Sequence, residues 1–457
     1  MKTLSRKFQL EISIGLFLAL LAAVTLISFE GDYPSYRIST IVVVVSGIWL
    51  FLNRPLLSFE GLIFVIIFIP SFTPIYAWDI FGKQLFSLAA KHLQYDEVLI
   101  NKATYLYSIS AVSYVVVAVP EYSKNSGGKD SNKSLNIGYL PIHFLFFVAF
   151  LTVAAAYLLE NGPTILTASY KTIKSVQMEK TPLFVFATTA FGGFWSILFL
   201  FGRHHKKLFW ITTSTILAWL FLHSRRIEVF GIALMLLLWS RYRVNVKYLV
   251  IMLILFLFVQ GAVGLLRHSP IAVLNSSFAL SPAASKRAAI PGGISNVFLS
   301  GLHLVNEKDN GMLTFAQTYT MLEWPKALVP NQILHFFNLS SIQKEHDLIY
   351  ARLELDYVGG MPLLMAFYLN GGVMMVLVFG LLHGYISKRI ERIIRRDLGG
   401  HLDKGGTWAL FITTVFIIYQ FRYHWYNPHI PLRAIEFSCV ILLGMSIFIK
   451  HKKERSL

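Results

Sequence analysis

The chain has 457 residues, of which 55% are apolar and only 14% charged, with a formal net charge of +17. That balance is membrane-like, and because the positive excess is held mostly in compact clusters it points to anionic lipid headgroups and away from nucleic acid. One cysteine, Cys439, excludes an internal disulfide.

Taken in chain order, the apolar spans are Phe8 to Phe29, Ile38 to Leu52, Leu56 to Trp78, Tyr105 to Val119, Tyr139 to Leu159, Leu183 to Phe201, Leu208 to His223, Ile227 to Trp239, Tyr248 to Leu266, Met361 to Ile386, Thr407 to Phe421 and Leu432 to Ile449. Most approach the ~20 residues that a helix needs to cross a bilayer core, so the expected fold is all-α, a polytopic membrane protein of about twelve transmembrane helices. The whole chain, 1–457, reads as one membrane domain. The first span has a basic start, but its apolar run is longer than that of a signal peptide and no small-residue cleavage site follows, so it reads as retained. There is no repeat of fixed period and no sign of inverted halves.

Orientation follows from lysine and arginine. With Met1 inside, the inside segments are the N-terminal tail, Arg54, Lys124 to Asn136, Arg203 to Lys207, Arg241 to Lys247, Lys388 to Lys404 and the tail from Lys450. They hold 23 of the 41 basic residues. Both termini then face the cytoplasm, as an even number of spans requires.

One outer loop is long, residues 267–356. Pro270, Pro282, Pro291, Pro325 and Pro330 are expected to forbid long uninterrupted helix there, and Phe278, Val297, Phe298, Phe336 and Phe337 make it apolar enough to pack at the membrane mouth rather than stay disordered. Against the positive-inside bias, basic residues also gather at outer span ends: Arg225 and Arg226, Arg267 and His268, Arg352, Arg422 with His424, and Arg433, with Arg287 in the long loop. Arginine is planar, always charged and able to grip phosphate with two parallel hydrogen bonds, so a converging set reads as a diphosphate site. The plainer alternative is that each arginine only snorkels to headgroups; two adjacent at Arg225-Arg226 favour the site. Glu228, just inside the eighth span, is either a functional carboxylate or a local partner of Arg225. For a proton acceptor the candidates are His424, in a loop between aromatics, and Glu323 in the long loop.

The segment Leu222-His223-Ser224-Arg225-Arg226-Ile227 resembles the arginine-bearing turn of O-antigen (oligosaccharide repeat unit) polymerases. Trp324-Pro325-Lys326-Ala327-Leu328-Val329-Pro330 is similar to that family's aromatic and proline segment, and the stretch from Gly359 through Tyr368-Leu369-Asn370-Gly371-Gly372 is similar to its small-residue approach to the next helix. The acidic residue often written there is absent, since Ala366 and Phe367 precede Tyr368. The resemblance implies a GT-C-type glycosyltransferase of the bacterial inner membrane. It would polymerise undecaprenyl-diphosphate-linked repeat units at the outer face, with Arg225, Arg226 and Arg352 on the diphosphate, Arg267, Arg287 and Arg422 in support, and His424 or Glu323 as base. It implies no cofactor. Its expected partners are membrane lipids, a chain-length regulator and a flippase. Other readings stay open: a metal-dependent enzyme using Glu30 and Asp32, a ligase of finished glycan, and a lipid-linked oligosaccharide transporter.

Overall fold

The structure is a computed structural model that describes residues 33–75 except 56, 97–120, 195–200, 206–222, 226–240, 292–311, 331–339, 362–398 and 404–425, with single positions at 79, 151, 155, 329, 434, 435 and 439. The described elements are all helices: α1 (Tyr36–Asn53), α2 (Phe59–Phe68, continued by a 3-10 turn, Ile69–Phe72), α3 (Glu97–Ala118), α4 (Lys206–Leu222), α5 (Arg226–Ser240), α6 (Gly292–Asp309), α7 (Asn331–Phe336), α8 (Leu363–Leu398), α9 (Lys404–Ile418) and α10 (Gln420–Trp425). Two of them, α1 and α8, are long and apolar enough to cross a membrane. The first, fifth, sixth, ninth and twelfth expected spans lie wholly or mainly outside the described residues.

Where the sequence reads as one domain, the chain gathers into two compact units that interleave along it. One comprises Met1–Ser131, Gly293–His401 and Gln420–His429, the other Asn132–Gly292, Leu402–Tyr419 and Ile430–Leu457. In the second unit, Trp195 stacks on Phe199 at 5.2 Å between ring centres, and α5 approaches α9 so closely that a Cβ on Gly231 would lie 1.8 Å from the Ile418 carbonyl oxygen.

The first unit is built around α3, whose inward positions are small or hydroxylated: Ala103, Thr104, Ser108, Ser110, Ala111 and Ser113 are all buried. Thr104, Ser108 and Ser113 each donate to a carbonyl one turn earlier, at 2.7–3.0 Å, so these hydroxyls enter the core with a partner already made. Small side chains let another backbone come close. A Cβ on Gly380 of α8 would stand 1.9 Å from Ser113 Oγ, and one on Gly384 would stand 2.5 Å from the Tyr114 carbonyl oxygen. The Gly-x-x-x-Gly spacing puts both glycines on one face of α8, and that face lies against α3.

The outer surfaces of α1 and α8 are inverted relative to a water-soluble bundle. On α1 the residues Ser39, Thr40, Ser46 and Gly47 are buried while Ile38, Ile41, Val45, Ile48 and Leu52 are all more than half exposed. On α8, Met374, Val378, Leu382 and Tyr385 form an exposed stripe at helical spacing. Water would penalise such continuous apolar surface, whereas acyl chains would not.

The long outer loop corrects one expectation. Its prolines do not keep it free of long helix, because the stretch after Pro291 contains none until Pro325 and forms the 18-residue helix α6. Val297, Phe298, Leu302, Leu304 and Val305 of α6 are fully buried; Phe298 stacks on Tyr107 of α3 with ring centres 6.2 Å apart. A Cβ on Gly301 would meet Met365 of α8 at 3.1 Å.

The close approach of α8 to α3 predicts that Gly384→Val destabilises the protein strongly, by about 1–3 kcal/mol or more, because the added carbon meets main chain that cannot turn aside. Gly47→Ala should cost less, since its Cβ would meet the tip of the Phe64 ring at 2.9 Å and that ring can shift. Thermal unfolding of the detergent-solubilised variants checks the order, and an unchanged Tm for Gly384→Val would contradict the packing.

Candidate functional site

Helices of the first unit meet at two charged poles. Tyr36 N donates to Asn101 Oδ1 at 2.8 Å, and Arg37 makes two bonds to Asp79, at 2.9 and 3.2 Å. These bonds join the N-terminal ends of α1 and α3 to the segment after α2. The opposite pole joins the C-terminal end of α3 to Arg54, to the start of α2 and to the distal part of α8. The two poles are named for the side that lysine and arginine counting leads one to expect: the outer pole carries Tyr36, Asp79, Asn101 and Lys102, the inner pole Arg54, Lys388 and Glu391.

At the inner pole the chemistry is helix capping. Arg54 donates through Nε and Nη2 to the Ala118 carbonyl at 3.2 and 2.8 Å, and through Nη2 to the Pro120 carbonyl at 3.1 Å, while Lys388 donates to the Val117 carbonyl at 3.0 Å. Two cations thus neutralise the carbonyl end of α3. The amide end of α2 is met by an anion: Phe59 N donates to Glu391 Oε2 at 2.8 Å, and Arg395 holds the other Glu391 oxygen at 2.7 Å. Glu60, buried beside them, lies 3.9 Å from Arg54 Nε.

The outer pole holds the arrangement best suited to an external ligand. In α8 the helix breaks at Gly371 and Gly372; Gly372 has φ 64° and ψ −151°, a conformation open to glycine and hardly to any other residue. The break withdraws the amides that would have bonded the last carbonyls of the first arm. Lys308 replaces them, donating to the carbonyls of Tyr368 and, at 3.2 Å, Leu369, and Asn370 Nδ2 takes the Ala366 carbonyl at 2.6 Å. Its neighbour Asp309 receives Lys102 on both oxygens, at 2.8 and 2.7 Å, and the Tyr368 hydroxyl at 3.1 Å. The two ammonium groups lie over aromatic faces: Lys102 is 5.4 Å from the centre of Tyr33, and Lys308 is 4.3 Å from that of Tyr368. The Asp309 carboxylate thus acts on two ammonium groups at the broken helix, on Lys102 through hydrogen bonds and on Lys308 through its charge. Burial opposes the Lys102 charge, yet the bonds to Asp309 and Tyr368 outweigh it and hold the ammonium above its ordinary value. Burial lowers Lys308 despite Asp309.

A third polar group lies between the poles. His424, expected in an open loop at the outer end of its span, is instead buried in α10. It is drawn in by its aromatic neighbours: Trp425 Nε1 donates to the Ile66 carbonyl at 2.8 Å, and Tyr423 is buried against His383. The His424 and His383 rings are 5.2 Å apart. His383 comes eleven residues after Gly372 and eight before Glu391, about 17 and 12 Å along a helix, so His424 stands part-way between the poles.

Of the other expected site residues, Arg226 opens α5 and Arg422 lies in α10, with backbone alone described for both. Arg225, Arg267, Arg287, Arg352 and Glu323, with Glu30 and Asp32, lie outside the described residues. Glu228 is buried in the first turn of α5. Sequence reading passed over Lys102, Lys308, Asp309 and His383. A usable signal existed for His383, an ionisable residue inside an apolar span. The two lysines and Asp309 had none, since nothing local marks residues 102, 308 and 368 as neighbours. No family model matches the chain, and neither the curated proteins nor the solved structures contain a significant match.

Lys308→Met should expose the unmet carbonyls at the break and cost about 1–3 kcal/mol, with Lys308→Arg milder. The sign of the Lys102 shift also fixes a pH dependence. A lysine raised on folding contributes its full stabilisation below its ordinary pKa of ~10.4 and loses it as pH climbs through the raised value. Unfolding midpoints should therefore show the Lys102–Asp309 contribution undiminished from neutral pH to about 10 and fading beyond, and Asp309→Asn should remove that alkaline decline.

Proposed function

We propose that this chain is a multi-pass protein of the bacterial inner membrane that polymerises undecaprenyl-diphosphate-linked repeat units into a surface polysaccharide at the outer face. The observation that carries this reading is the meeting of two segments far apart in sequence. The glycine-rich stretch that resembles the O-antigen polymerases, Tyr368 to Gly372, breaks its helix and joins the helix of the long outer loop through Lys308 and Asp309. Glycosyl transfer from a lipid diphosphate needs positive charge fixed where the leaving group departs. Paired ammonium groups beside an interrupted helix supply such charge. As residue types, Arg225, Arg226 and Arg352, and in second place Arg267, Arg287 and Arg422, remain the candidates for a bidentate grip on the diphosphate. The outward apolar stripes of α1 and α8 support the membrane setting. Because His424 lies part-way along α8, Glu323 becomes the candidate for the base that deprotonates the acceptor hydroxyl.

A second reading, a transporter of lipid-linked oligosaccharide, is favoured by one specific feature. Ionisable side chains occur at both poles of the first unit, partly exposed at the outer one and buried at the inner one, and two buried histidines lie between them, as a pathway across the membrane would need.

Purified protein in liposomes with lipid-linked repeat units should make polymer even in excess EDTA. Arg226→Lys and Arg226→Ala should both lose most of the product while still inserting, because lysine keeps the charge but not the planar fork. An alanine variant of full activity would return Arg226 to headgroup contact, and units crossing the bilayer without joining would establish the transporter reading. For topology, cysteine at Ser285 or Ser340 should react with an impermeant thiol reagent from outside and cysteine at Arg396 should not. Arg396 is exposed, whereas Ser387 is buried and would stay silent from either side.

A further inference from the structure

We propose that His383 and His424 together form a proton-binding site, in which the two imidazoles take up and share a single proton in the interior of the first unit. In each ring one nitrogen is already used. His383 Nδ1 lies 2.9 Å from the Phe379 carbonyl, which can only accept, so that nitrogen carries the ring hydrogen and Nε2 is left with a bare lone pair. His424 Nε2 lies 2.9 Å from Gln420 Oε1, which likewise accepts, so Nδ1 is the bare nitrogen there. Each ring spends its hydrogen on a partner four residues earlier in its own helix. The remaining atoms, His383 Nε2 and His424 Nδ1, are buried and have no hydrogen-bond partner among the described residues.

Two bare acceptors in one apolar enclosure form an incomplete arrangement, since each loses its hydration and gains nothing in return. Neither can satisfy the other, because neither carries a hydrogen. The ring centres are 5.2 Å apart, close enough for a rotation of the rings to bring the two bare nitrogens together, so that one added proton bonds to one lone pair and is accepted by the other in a single N–H···N bond. The balance is simple, with one proton taken from water, one N–H bond formed and no electrons transferred.

The enclosure favours sharing over two separate charges. Phe379 is 4.0 Å and Phe367 is 6.1 Å from the His383 ring, and Tyr423 of α10 is 5.7 Å from His383 and 4.9 Å from His424. Aromatic faces stabilise one delocalised cation, while a second positive charge at this distance would meet repulsion with little water to screen it. Among the described side chains, the elements packed around the pair bring no counter-ion to it. On α3, Tyr114 is committed to the Glu60 carbonyl at 2.8 Å; on α2, the Ile66 carbonyl is taken by Trp425. The acids of these elements, Glu60 on α2 and Glu391 on α8, belong to the inner pole.

The test is solid-state NMR of the full chain, labelled with ¹⁵N-histidine and reconstituted in phosphatidylcholine–phosphatidylglycerol vesicles, across a pH series. His383→Phe and His424→Phe spectra identify the two rings by subtraction among the 14 histidines; His383→Gln and His424→Gln serve if the phenylalanine variants do not fold. At high pH the rings should show opposite tautomers, Nδ1–H for His383 and Nε2–H for His424. On acidification both should shift with a common midpoint and a total uptake of one proton, and removal of either ring should weaken proton binding by the other at least tenfold. Independent titration of two protons would overturn the proposal, and so would rings that stay neutral while the remaining histidines charge.

Discussion

The contact on which the first unit depends is the approach of α8 to α3 through Gly380 and Gly384. Because those glycines lie against Ser113 and Tyr114 with no room for a side chain, the two helices are held in one register along their length. Everything chemical in the unit is referenced to that register. It sets Lys388 against the last carbonyls of α3 at one end, and at the other it brings Tyr368 beside Asp309 and, through it, Lys102. A slip of one turn, about 5.4 Å, would separate both sets at once.

The poles differ in what their charges are for. At the inner pole Arg54, Lys388 and Arg395 are matched to carbonyls or to a carboxylate at a helix end, so their charge closes open backbone. At the outer pole a helix has been opened rather than closed. The break at Gly372 frees carbonyls that a flexible lysine from another segment must satisfy, and that lysine shares its acid neighbour with a second ammonium. A structural cap would need no break. The outer pole is therefore where binding would be expected, and the long loop, through α6, is what completes it.

Helix locations were readable because apolar runs of the right length are a local property. The described helices overlap the second, third, fourth, seventh, eighth, tenth and eleventh expected spans. Helix α6 was missed because proline was counted over the loop as a whole, whereas what matters is the distance between prolines, and Pro291 to Pro325 leaves space for several turns. His424 was misplaced for a related reason. A histidine beyond an apolar run looks exposed, but Tyr423 and Trp425 beside it have more apolar surface to bury than the loop reading allowed. The break at Gly371-Gly372 was visible as a glycine pair; its meaning depended on Lys308, some sixty residues away, which no local pattern reveals.

The central claim, polymerisation of lipid-linked repeat units at the outer face, is tested most directly by the glycolipids of cells lacking this protein. The account predicts that single repeat units on undecaprenyl diphosphate accumulate, accessible from the outer face, with long chains absent. Long unattached chains on the lipid carrier, or single units trapped on the inner face, would contradict it.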